Sequence, residues 1–217
     1  MLQDQLQKYE NLRRKILGNP DQARVTSKKE RMEEPPHISL NFPVDSSFWD
    51  RIMNLVGELE KEDPGHEYIY PPILHCTVKS CGVLGKNISE DTIPEIIPRI
   101  DKALKDFKAF EITLRGLNTF TTNTFIQVFS EDSRLFDLHN LLNDTVPYGE
   151  PEFERENYTP HVTIIYYYHR PDKLFTALGR HKDILVGKMK VDKVNFIIGT
   201  PSLFIQRMKV IKTFWLK

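Results

Sequence analysis

The apolar positions of this chain follow two periods. Between residues 2 and 17, Leu2, Leu6, Tyr9, Leu12 and Ile16 recur at helical spacing, and Gly18-Asn19-Pro20 ends the pattern. Residues 19–34 are polar and charged and read as a linker. His37–Phe42 is then a strand, and Ser46 or Ser47 caps a helix with Phe48, Ile52, Leu55, Val56 and Leu59 on one face. That helix fades at Asp63-Pro64-Gly65, and a strand around His75 follows. Near residue 92, Thr92 and Glu95 fit a capping box for a helix whose apolar face is Ile93, Ile96, Ile97, Ile100, Leu104 and Phe107, with Pro98 expected to distort its first turns. Strands are predicted at about 109–115 and over Thr124–Phe129. Ser133 then caps a helix carrying Leu135, Phe136, Leu138, Leu141 and Leu142. An acidic loop at 150–156 leads into a β-branched and aromatic strand at 158–167. A short helix at 171–180, a strand at 189–198 and a hairpin partner within 202–216 complete the chain.

The two halves echo each other. His37 and His75 lie 38 residues apart, and Phe125 and His161 lie 36 apart, so each half has a strand–helix–strand unit of nearly equal length. Each unit closes on the same short pattern, His75-Cys76-Thr77-Val78-Lys79 and His161-Val162-Thr163-Ile164. His37-Ile38-Ser39 matches the pattern too, but it opens a unit instead of closing one. Strand side chains alternate faces, which puts His75 with Thr77, and His161 with Thr163, on one face of their strands. If a pseudo-twofold relates the halves, all four side chains converge on one ligand, and a phosphodiester suits them. One neutral imidazole takes a proton from an attacking water or hydroxyl while the other, protonated, gives one to the leaving oxygen. The threonine hydroxyls donate to the non-bridging oxygens and hold the phosphorus between the two rings.

With these motifs the chain resembles the two-histidine phosphoesterase superfamily, which includes the 2′-5′ RNA ligase-like proteins and the cyclic phosphodiesterases. The resemblance rests on His75-Cys76-Thr77-Val78 and Pro160-His161-Val162-Thr163-Ile164 within the repeated units, and it covers roughly residues 36–217. It implies an α+β, bilobal pseudo-twofold fold in which two mainly antiparallel sheets form a central cleft with helices outside. It also implies catalytic roles for His75 and His161 and phosphate-binding roles for Thr77 and Thr163, on RNA ends, 2′,3′-cyclic phosphates or 2′-5′ linkages, without a metal or other cofactor. The expected organisation is an N-terminal helix and linker over 1–34 and a phosphoesterase domain over 35–217, with lobes at about 35–119 and 120–217. A non-catalytic module of the same build, binding a nucleotide or an RNA end and recruiting a partner through its N-terminal helix, is the competing expectation.

Further residues are candidates around this centre. Lys79 shares the inward face of its strand with His75 and Thr77, so it is a candidate phosphate contact. Tyr70, Phe125, Tyr158 and Tyr167 are candidates for stacking a base, with Tyr158 preferred because it precedes the second motif. No metal centre is expected, because the two motif histidines come from distant strands without a third clustered ligand. No glycine-rich phosphate loop and no glycosidase-like carboxylate pair stands out.

Composition narrows the class without naming a partner. The net charge of zero conceals +4 over residues 1–31, −12 over 32–168 and +8 over 169–217. A basic C-terminal segment could face a polyanion, but charge alone does not assign nucleic-acid binding. Cys76 and Cys81, five residues apart, read as free thiols in a reducing compartment. No apolar run approaches the roughly 20 residues of a membrane span, and the N-terminus lacks a secretory pattern, so a cytoplasmic protein is expected.

Overall fold

The computed structural model describes residues 2–149, 153–200 and 208–217. Helix α1 (Leu2–Leu17) and a short α2 (Lys28–Glu33) precede strand β1 (His37–Pro43). The first unit continues with α3 (Trp49–Glu62), a two-residue β2 (Glu67–Tyr68), β3 (His75–Val83) and α4 (Ile93–Leu104). The second contains β4 (Phe110–Thr119), β5 (Asn123–Ser130), α5 (Arg134–Thr145), β6 (His161–Tyr166) and α6 (Asp172–Arg180). Strands β7 (Leu185–Val191), β8 (Lys193–Gly199) and β9 (Lys209–Trp215) follow. The strand expected at 189–198 is two strands broken at Asp192. Part of the acidic loop (150–152) and part of the last hairpin segment (201–207) lie outside the described residues.

Local chemistry corrects three expected caps, Ser133 among them: its hydroxyl donates to Asp137 Oδ2 at 2.5 Å and makes no side-chain cap of α5. Asp45, not Ser46 or Ser47, opens the turn before α3, its Oδ1 accepting from the Ser47 N–H at 2.8 Å. Thr92 is helical and makes no side-chain cap, its hydroxyl instead meeting Ser89 Oγ at 2.7 Å. Pro98 lies inside α4, which nonetheless continues to Leu104.

The nine described strands form one sheet, ordered β7-β4-β5-β6-β3-β1-β8-β9, with β2 added on β6. The two expected sheets are therefore four-stranded halves of a single antiparallel sheet, joined where β6 pairs with β3. That joint is a single pair, Cys76 with Val162. The halves interleave along the chain: β4 belongs with β5 and β6, whereas β8 and β9 return to β1. The crossing from one half to the other occurs at Asp192, which explains why an apparently continuous strand breaks there. Helices α3 and α6 pack together, as do α4 and α5. They cover one face of the sheet, burying Leu40, Phe42, Cys76, Val78, Val162 and Ile164 with Leu135, Leu138 and Leu142. The opposite face holds the motif side chains.

Both motif strands carry a β-bulge immediately after their threonine. Opposite β1 the register passes from Lys79–Leu40 to Thr77–Asn41, leaving Val78 as the extra residue. Opposite β5 it passes from Ile165–Thr124 to Thr163–Phe125, leaving Ile164 extra. A bulge adds local twist and resets which face the following residues occupy. The pseudo-twofold is thus visible in the backbone defects as well as in the motifs.

Helix α1 lies on the motif face, over β4 and β5. Tyr9, 3% exposed, packs on Phe125 and Phe129 with ring centroids 6.3 and 5.0 Å away. Its hydroxyl donates to the carbonyls of Val128 (2.9 Å) and Pro160 and accepts from the Val128 N–H at 3.2 Å. Gln5 bonds the backbone of Ser130 in both directions, at 2.8 and 3.1 Å. The segment after α1 is also tied down: the Arg24 N–H bonds Thr121 O and the Thr26 N–H bonds Tyr167 O. Removing this hydroxyl takes a buried partner from three backbone groups and leaves the Val128 N–H and the Pro160 carbonyl only their 3.4 Å bond to each other. Tyr9→Phe is expected to destabilise the protein by about 1–3 kcal/mol in denaturant titration. A change within experimental error of zero would show that α1 docks through its apolar contacts alone.

Candidate active site

The Cys76–Val162 pair sets the geometry of the centre. In an antiparallel pair the neighbours of the joined residues face each other crosswise, so His75 comes beside Thr163 and Thr77 beside His161. Cys76 and Val162 themselves point into the core and are fully buried. The four motif side chains are half-buried on the other face. No hydrogen bond occupies the hydroxyl of Thr77 or Thr163 among the described residues, so both are available to a ligand.

Each imidazole is held by its own strand. His75 Nδ1 lies 2.6 Å from the Ile73 carbonyl, and His161 Nδ1 lies 2.7 Å from the Thr159 carbonyl. A carbonyl only accepts, so Nδ1 carries the proton in both neutral rings and Nε2 presents a lone pair. Burial pushes the pKa of His75 below the ordinary histidine value, partly offset by its bond to Ile73. Burial acts more strongly on His161, the Thr159 carbonyl opposes it, and the charge of a protonated His75 adds to the lowering, which takes His161 to about 4. The repulsion between the two rings disfavours protonating both at once, so the pair titrates as a unit. His161 is also supported by aromatic rings, Phe120 at 4.9 Å and Phe125 at 5.2 Å.

Two of the six predicted site residues lie elsewhere. The bulge at Val78 sets Lys79 opposite Leu40, whose side chain belongs to the helix-covered face, so Lys79 points away from His75 and Thr77. There it is 2% exposed and paired with Glu154. Tyr158 is 6% exposed and stacks on His139 at 3.9 Å, its hydroxyl bonding the Thr77 carbonyl at 3.1 Å, so it braces the back of β3 and offers no face to a base. Phe125 and Tyr167 are buried as well, and Tyr70, at the edge, donates to Glu60 at 2.6 Å. The sequence reading missed Phe120, a half-exposed ring stacked on Phe125 at 4.4 Å and set edge-on to His161. It also missed Asn41, which the register places directly beside Thr77. Its place after His37 and Ser39 on the polar side of an alternating β1 was the available signal.

Away from the motifs, Asp63, His66 and His169 bring one ligand-type atom each within 4.8 Å of one another, a grouping the sequence reading did not foresee. His66 Nδ1 accepts from the Tyr168 N–H at 3.3 Å, which puts the proton of the neutral ring on Nε2, 3.3 Å from Asp63 Oδ2. The Tyr168 bond joins the two loops, while His66 Nε2 and Asp63 Oδ2 make no hydrogen bond among the described residues. Both cysteines are buried free thiols, pushed up to about 12 by burial. No helix among the described residues is long and apolar enough to cross a membrane.

Comparison with known proteins gives the family and the fold. The family model of the 2′-5′ RNA ligase superfamily matches residues 11–200. An RNA 2′,3′-cyclic phosphodiesterase of Methanothermobacter thermautotrophicus is 28% identical over 160 residues, covering 70% of this chain and 83% of the relative. Among solved structures, TT0787 of Thermus thermophilus superposes with a TM-score of 0.65 at 16% identity, covering 83% of this chain and 97% of its own. LigT of E. coli, crystallised with 3′-AMP, superposes with a TM-score of 0.59 at 14% identity, covering 85% and 99%. At these identities the two superpositions speak for the fold.

The lowered histidines set a pH dependence of stability. Burial lowers His66, His75, His139 and His161 alike. Between the unfolded value near 6.5 and the folded value of about 4 for His161, the unfolded chain binds more protons, so stability falls as pH falls through this window. The Tm is expected to decline from pH 6.5 to 4, and His161→Gln to flatten part of that decline. An unchanged slope in the variant would contradict the burial assigned to His161.

Proposed function

The chain belongs to the 2′-5′ RNA ligase superfamily and is a phosphoesterase, and from that premise we propose that it hydrolyses RNA-type 2′,3′-cyclic phosphodiesters by paired-histidine acid–base catalysis without a metal, 2′-5′ linkages being the related class of substrate. The observation that carries the reading is the symmetric pair of imidazoles, each locked through Nδ1 with Nε2 free, beside two unengaged threonine hydroxyls. The name of the archaeal relative and the 3′-AMP held by the E. coli neighbour support a ribonucleotide phosphate as the ligand.

In this reading His161, taken down to about 4, is the base and His75 the acid. His161, neutral at neutral pH, takes a proton from water through Nε2 as the water oxygen bonds to phosphorus. His75, protonated, gives its proton to the ribose oxygen as that P–O bond breaks. A ring-opened phosphomonoester results, and exchange of one proton with solvent resets the pair. Displacement at phosphorus places the incoming and leaving oxygens on opposite sides, and two histidines related by a pseudo-twofold flank such a centre. Thr77 and Thr163 donate to the non-bridging oxygens, supplying position and charge stabilisation.

Hydrolysis of the four 2′,3′-cyclic nucleotides in EDTA tests the reading directly. Turnover is expected to survive the chelator and to fall by at least about 10²-fold in both His75→Ala and His161→Ala. Full activity in either variant sinks the mechanism, and loss of activity in EDTA that zinc or magnesium restores sinks its metal independence. Because both free-enzyme histidines are lowered, kcat/KM is expected to peak on the acid side of pH 6.5, with its acid limb at about 4. A plateau extending well above neutrality would assign the proton donor to another group.

A further inference from the structure

The two motif strands are equivalent by the pseudo-twofold, but their neighbours are not. Thr163 stands opposite Phe125 of β5, and Thr77 stands opposite Asn41 of β1. Directly opposed side chains of an antiparallel pair lie on one face with Cβ atoms roughly 4.5–5.5 Å apart. The carboxamide of Asn41 is therefore within a rotamer change of the Thr77 hydroxyl, whereas Thr163 faces a ring that cannot donate.

Asn41 is 1% exposed and its Nδ2 has no hydrogen-bond partner among the described residues. Its other cross-strand neighbour, Asn195, does not partner it: the Asn195 carboxamide oxygen accepts from Thr213 Oγ1 at 2.9 Å and makes no bond to Asn41 Nδ2. A buried amide donor left unpaired costs free energy, and an apolar residue of similar shape at this place in the core would avoid that cost. The cleft also lacks the lysine that the sequence offered it, because Lys79 is turned to Glu154. Neutral donors must then orient the phosphate, and a threonine hydroxyl is a rotor whose proton needs a direction.

Resting on the phosphodiesterase reading above, we propose that Asn41 is the positioning residue of Thr77: its Nδ2 donates to Thr77 Oγ1 when a phosphate occupies the cleft, so that the threonine proton is aimed at a non-bridging oxygen. The unpaired donor of the empty protein is the other half of that arrangement. Thr163 has no such director, so the two hydroxyls are unequal partners and Thr77 is the stronger one.

The test is a double-mutant cycle on the full chain with Asn41→Leu, which keeps the branched side-chain shape and removes the donor, and Thr77→Val. Asn41→Leu is expected to keep or raise the Tm, because it removes an unpaired buried amide, while kcat/KM for a 2′,3′-cyclic nucleotide falls about tenfold, as for one hydrogen bond acting on a charged ligand. In the Thr77→Val background the same change is expected to cost nothing further. Activity of Asn41→Leu within twofold of wild type overturns the proposal. So do effects that multiply in the double variant, which would mean that Asn41 acts on substrate by itself, and a lower Tm accompanying the loss, which would mean a structural role. If wild-type protein turns over no cyclic nucleotide, the phosphodiesterase reading fails separately. The same cycle read by inorganic phosphate binding then decides Asn41, with non-additive losses supporting the proposal and additive or absent losses refuting it.

Discussion

The pairing of Cys76 with Val162 is the contact on which the catalytic arrangement depends. Two four-stranded half-sheets meet there, and among the described residues it is the only register point between β3 and β6. Both side chains are fully buried beneath the helices, so the joint is fixed by core packing on one face while the other remains open to a ligand. A one-residue slip would turn the histidines into the core and the apolar pair into the cleft. Bulk at Cys76 and Val162 therefore specifies the chemistry of their neighbours, and the raised thiol of Cys76 marks it as a packing residue with no role as a nucleophile.

The bulges after Thr77 and Thr163 give the centre its boundary. Each lets two consecutive residues, Val78-Lys79 and Ile164-Ile165, turn from the cleft, so the motif side chains end at the threonine. In the second strand both are aliphatic and fully buried. In the first, a lysine is buried, and Glu154 answers its charge while Tyr158 and His139 close the space around it. A buried ion pair contributes little net stability, but removing one partner leaves an uncompensated charge, so this pair constrains the loop before β6.

The parts legible in the sequence were those written in periodicity. The repeated strand–helix–strand units, the His-x-Thr closures and the amphipathic face of α1 all follow from side-chain spacing, which is local. What the spacing lacks is register. Lys79 obeys strict alternation along its strand, and only the pairing with β1 reveals the extra residue at Val78. Asn41 is 36 residues before Thr77, and nothing in either neighbourhood says that they are opposed. Tyr158 precedes the second motif, as a substrate-facing residue would, but stacks on a histidine from α5. The spacing of Leu2, Tyr9 and Ile16 shows that α1 needs a surface to cover, and no feature of it says that the surface is the motif face.

Charge ties these features to the chemistry. With Lys79 withdrawn and both imidazoles lowered by burial, the four motif side chains of the empty site carry no formal charge at neutral pH. An arriving phosphodiester brings one negative charge into a partly desolvated space, and that charge favours the protonated form of the nearest imidazole. Under the proposed mechanism that imidazole is His75, so substrate binding loads the acid in the act of occupying the site. A lysine at the same place would have held the phosphate but also repelled that proton. Under the proposed mechanism, turning Lys79 to the other face leaves one histidine to serve both as the phosphate's counter-charge and as the acid that releases the leaving oxygen.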